Sequence, residues 1–93
     1  METKKTNTIT IYRADDYYNN GGTIVGFFYE KEDAESLIDC RNPVPQAEGN
    51  FSLITEFIVE ESRMKNVDIN DNKTMLSQEI WGDGIIIADY YYI

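Results

Sequence analysis

Hydrophobic positions recur along the chain with two different periods, and the changes of period mark its elements. From Thr8 to Ala14, Ile9 and Ile11 alternate with Thr10 and Tyr12, the period-two pattern of a strand rich in β-branched residues. From Thr23 to Tyr29 both alternating sets are apolar, Ile24, Gly26 and Phe28 against Val25, Phe27 and Tyr29. That predicts a strand covered on both faces, interior rather than at an edge. Between the two, Asp15 to Gly22 (DDYYNNGG) ends in residues that tolerate positive φ. It predicts a hairpin whose loop is longer than two residues and carries Tyr17 and Tyr18 at an exposed tip. After Tyr29 the period lengthens. Ala34, Leu37 and Ile38 fall at helical spacing with Glu32, Glu35 and Asp39 on the other side, so Lys31 to Cys40 reads as a helix with one dry and one acid face. Glu32 and Asp33 suit the positive end of its dipole, and Arg41 the negative end.

The prolines of NPVPQAEGN, residues 42–50, stop that helix. Phe51 to Glu61 then sets Phe51, Leu53, Phe57 and Val59 against Ser52, Glu56 and Glu60, a strand whose polar face is interrupted by Ile54 and Ile58. Part of that polar face is therefore expected to be covered by the helix or by a partner. Residues 62–78 hold much of the basic charge, in Arg63, Lys65 and Lys73. Met75, Leu76, Ile80 and Trp81 predict one or two helical turns after a cap at Asn70 to Asn72. Trp81 to Gly84 is a turn, and Gly84 to Ile93 (GIIIADYYYI) a last strand, apolar on both faces apart from Asp89. The expected fold is α+β, with β-β-α-β-(short α)-β order. It has a small four-stranded, mostly antiparallel sheet and one amphipathic helix packed on a face. Residues 8–93 form its single domain behind a polar, flexible N-terminus at 1–7.

Charge and missing residue types narrow the functions. Eight Lys and Arg stand against 17 Asp and Glu, a formal net charge of −9. This disfavours nucleic acids and anionic membranes, which need basic neutralisation, and favours a basic partner or simple solubility. There is no histidine, no phosphate-binding glycine loop and no nucleophile elbow, so an enzyme is not expected and no cofactor is implied. The lone Cys40 permits neither an intramolecular disulfide nor a cysteine-based zinc cluster, and fits a reducing compartment. No signal peptide or membrane span is read in the sequence, which makes the cytoplasm the expected location.

Two stretches resemble something known. Asp68 to Glu79 (DINDNKTMLSQE) resembles the EF-hand calcium loop, with oxygen-bearing residues at its first, third and fifth places and a glutamate at the twelfth. The resemblance implies Asp68, Asn70, Asn72, Thr74 and Glu79 as ligands. Lys73 occupies the place of the turn glycine, and the same residues also read as an Asp/Asn-rich loop with a helix cap. The stretch GFFYEKEDAESLID, from Gly26 to Asp39, resembles the strand-then-helix form of short acidic α+β proteins from phages and low-GC bacteria. That resemblance implies a binder that blocks a host enzyme or defence complex, in the manner of anti-CRISPR proteins and DNA mimics.

The functional expectation is therefore a non-enzymatic inhibitor acting on a basic host protein or protein–nucleic acid complex. Its contact residues would be Glu32, Asp33, Glu35, Asp39, Glu56, Glu60 and Glu61, joined by Tyr17 and Tyr18. An immunity protein against a basic nuclease toxin, and a homo-oligomeric module pairing through a strand edge or the tyrosine-rich terminus, are the alternatives.

Overall fold

Two layers of short helices enclose one four-stranded antiparallel sheet. The computed structural model describes residues 7–18, 21–38, 51–77, 80 and 84–92. The elements are β1 (Thr8–Tyr18), β2 (Gly21–Phe28), α1 (Lys31–Leu37), β3 (Phe51–Glu60), a 3-10 turn (Glu61–Met64), α2 (Asn72–Ser77) and β4 (Ile85–Tyr92). The order across the sheet is β2-β1-β3-β4 and every pairing is antiparallel. The α+β class and the element order follow the sequence pattern. No helix among the described residues is long and apolar enough to cross a membrane.

Pairing puts alternate residues on two faces. On the first lie Ile9, Ile11, Phe27, Phe57 and Val59, roofed by Met64, Ile69, Met75 and Ile80 from the segment that holds the 3-10 turn and α2. The second holds Ala14 and Ile54, covered by Ala34 and Ile38 of the α1 segment and flanked by Tyr12, Val25, Phe28, Tyr90 and Tyr92. Ile54 is thus the residue through which the polar face of β3 accepts α1.

The apolar run in β2 signals coverage, not a central place. β2 is an edge strand, and its two faces are dry because α1 packs on one side and α2 approaches from the other. β1 continues to Tyr18, so Asp15 to Tyr18 belong to the strand and not to the turn. Its pairing closes at Tyr18 with Gly21, which leaves two residues between the strands. The tightness has a cause: Gly22 faces Tyr17, and a Cβ there would stand 2.5 Å from the ring. α1 has its last helical residue at Leu37, and Ile38 is already extended (φ −80°, ψ 170°). Leu37, expected on the dry face, is 46% exposed. Cys40, like the whole 39–50 connection and the 1–6 terminus, lies outside the described residues.

Each edge strand carries a bulge. Val25 has no partner between Ile24 and Gly26, and Ile87 none between Ile86 and Ala88. α2 starts from a side-chain cap, with Asp71 Oδ1 accepting from the backbone N of Lys73 (3.1 Å) and Thr74 (3.4 Å). Thr74 Oγ1 donates to Asp71 Oδ2 (2.7 Å), and these bonds hold the Asp71 carboxyl below its ordinary pKa.

Candidate partner-binding surface

The acids expected to form one contact face are divided by the fold into two kinds. Glu35 and Glu56 are half-buried and bonded to tyrosines of the sheet. β1, β3 and β4 place Tyr12, Glu56 and Tyr90 on the same face, where Tyr90 Oη donates to Glu56 Oε1 (2.7 Å) and Tyr12 Oη to Glu56 Oε2 (3.5 Å). Tyr92 Oη donates to Glu35 Oε2 (2.5 Å), tying α1 to the edge of the sheet. Lys31 closes the cluster, its ammonium 3.7 Å from the centre of the Tyr90 ring and 3.9 Å from Glu35 Oε2.

Glu32 and Asp33 are of the other kind: exposed, in the first turn of α1, with Glu30 exposed just ahead of them. Among the described residues no ion pair neutralises any of the three. Glu60 points to the same face as Glu56 but about 13 Å further along β3, four residues at the usual rise. Glu61 turns away into the 3-10 segment, its backbone N donating to Asn7 O (2.9 Å). The side chain of Tyr18, and the whole of Asp39, lie outside the described residues.

Tyr17 stands in β1 and not at a loop tip. Half-buried on the opposite face, it stacks on Phe51 with centroids 4.9 Å apart and donates to Asp15 Oδ2 (3.0 Å), which also accepts from Arg13 Nη2 (3.1 Å). Burial, then that bond to Asp15, raises the Tyr17 pKa. Phe51 passes the row on to Tyr91, 5.9 Å away and 65% exposed. No protein-family model, curated protein or solved structure matches the chain.

The oxygens of the calcium-loop stretch have other neighbours. Asp68 Oδ1 accepts from Asn70 N (3.0 Å), while Asn72 faces β2, its Nδ2 donating to Val25 O (3.3 Å). Thr74 is bound to the Asp71 cap, and Glu79 lies outside the described residues. Among those residues no group of three or more His, Cys, Asp or Glu is placed to hold a metal ion.

Sequence reasoning had no means to find the tyrosine–glutamate cluster. Its members are 34 and 44 residues apart, and Glu56 carries the same signature as a solvated strand residue. The cluster has a pH consequence. Burial, then the charge of Glu56, raises the Tyr12 pKa above 10.0; for Tyr90 the hydrogen bond to Glu56 is the main cause. The folded state thus favours the protonated phenols more than the unfolded chain does. Their contribution is fully present below pH 10.0 and is lost as pH rises through the raised values. Urea midpoints measured from neutral pH upward are expected to fall steeply above about pH 10. They should fall less steeply in Glu56→Gln, which removes the charged acceptor. Parallel curves for the two proteins would contradict the assignment.

Proposed function

We propose that the chain is a non-enzymatic binding protein of the kind phages encode, one that blocks a basic site on a nucleic-acid-handling or defence protein of a bacterial host. The surface it uses is the outer side of α1. The supporting observation is the state of the charges there. The one lysine of α1 is held by Glu35 and Tyr90, which leaves Glu30, Glu32 and Asp33 displayed to solvent without an ion pair among the described residues. Carboxylates fixed on a seated helix lose little freedom on meeting a basic groove. In a chain of net charge −9 they also accelerate the encounter. Within the surface expected from sequence, Glu32 and Asp33 thus remain contact residues, whereas Glu35 orients them by tying α1 to β4, and Glu56 joins β1, β3 and β4 under the Tyr90 ring on which Lys31 rests.

Affinity capture from a bacterial lysate at low and at moderate salt, run in parallel with the Glu32→Lys/Asp33→Lys variant, tests this reading. The native chain should retain a basic nuclease, polymerase or defence effector that moderate salt releases, because exposed charges are screened beyond about 10 Å at 0.1 M salt. The variant should retain it at least about tenfold less, about 1.4 kcal/mol. Equal retention with an equal salt response would exclude α1 as the contact.

A further inference from the structure

β4 is the apolar border of this acidic molecule. Ile85, Ile86 and Ile87 are 65%, 60% and 51% exposed, and Tyr91 at the other end is 65% exposed. Ile85 pairs with Ile58 and Ile86 with Phe57, so their side chains flank, on opposite faces of the sheet, an edge that no other strand among the described residues pairs with. Proteins usually blunt such an edge with lysine, proline, a bulge or a covering segment; of these β4 carries the bulge at Ile87, with regular pairing on either side of it. β4 has neither lysine nor proline, and its only charge is Asp89, exposed on the face that also carries Tyr91.

We propose that the open edge of β4 is a docking site for an extended segment of a different, basic protein, which joins the sheet as an added strand. The segment presents apolar residues to Ile85–Ile87 and a lysine or arginine to Asp89 and the Tyr91 ring. Main-chain hydrogen bonds supply affinity without regard to sequence, and the side chains set the register. Charge selects this occupant over a second copy of the chain: each copy carries −9, and Asp89 would bring a further carboxylate to a self-paired edge. A basic side chain is attracted to the molecule as a whole, neutralises Asp89 and gains the face of an exposed aromatic ring. The inference deepens the reading above, on which the basic character of the partner rests, and uses a surface separate from α1.

The probes are two synthetic strand peptides of alternating valine and threonine, one with a central pair of lysines and the other with glutamates there. Amide shifts and hydrogen exchange of the isotopically labelled full chain report their binding. The lysine peptide is expected to shift and protect amides between Ile85 and Tyr91, and the glutamate peptide to leave them unchanged. Ile86→Lys should weaken the lysine peptide at least about tenfold. Its melting temperature should stay near that of the native chain, since the side chain it replaces is mostly exposed. The Glu32→Lys/Asp33→Lys variant should still bind the peptide, so the two surfaces fail or succeed independently. Binding of neither peptide, equal binding of both, or shifts confined to other strands would overturn the proposal. So would light scattering that finds a dimer of the native chain abolished by Ile86→Lys, which would make a second copy the occupant.

Discussion

Truncation of Phe57 to alanine is expected to cost about 3–5 kcal/mol. That is a large share of the roughly 5–15 kcal/mol that holds a domain together. The ring is 1% exposed, between Ile11 on β1 and Ile86 on β4 and within the cluster that includes Phe27, Met64 and Met75. Gly84 closes over it so tightly that a Cβ there would stand 2.5 Å from the ring and 3.0 Å from the carbonyl oxygen of Ile58. The surrounding backbone belongs to paired strands, so the cavity cannot collapse freely. The urea midpoint should drop accordingly, or the variant should fail to fold. Ile86→Ala, next to it on β4, should change stability little because its side chain is 60% exposed. Similar midpoints for both variants would place the core elsewhere.

Ile54→Ala acts on the other face and is expected to cost about 2–5 kcal/mol. Its larger consequence concerns α1. Ala14, Ala34, Ile38 and Ile54 are all fully buried and make up the buried contact between helix and sheet. α1 has seven residues and no side-chain bond at its N-cap. A helix that short does not persist without tertiary contacts. Removing Ile54 should therefore release α1 before the sheet unfolds, and with it the fixed display of Glu32 and Asp33. Hydrogen exchange should quicken at Ala34 to Ile38 while the amides of Ile11 and Phe57 stay protected. Uniform loss of protection across the chain would mean that helix and sheet open as one unit.

The two outcomes depend on which face of the sheet each residue occupies, and that much was legible. The alternation of Phe57 and Val59 against Ile54 in β3, and the helical spacing of Ala34 and Ile38, assign the cores correctly because period alone decides which side a residue faces. Lateral order is another matter. Apolar residues on both faces of β2 predicted a central strand, but dryness comes from layers above and below, and α1 and α2 supply both layers at an edge. The same ambiguity concealed β4. Three consecutive isoleucines read as a strand apolar on both faces, yet among the described residues the sheet ends there and leaves them exposed. Tyr17 was displaced from its expected loop because Gly22 lets the hairpin close tightly beneath its ring. Among the acids, Glu56 and Glu32 look alike in sequence. Tyrosines brought from distant strands claim the first, and nothing among the described residues claims the second.

Occupation of a basic partner's nucleic-acid site by the acid face of α1 is the central proposal. Its most direct test is the affinity of the salt-released partner for a fluorescent DNA duplex, measured with increasing amounts of this chain. Competitive displacement of the duplex, weakened by Glu32→Lys/Asp33→Lys and by raised salt, is the predicted result. A duplex that stays bound while the chain binds the same partner would contradict it.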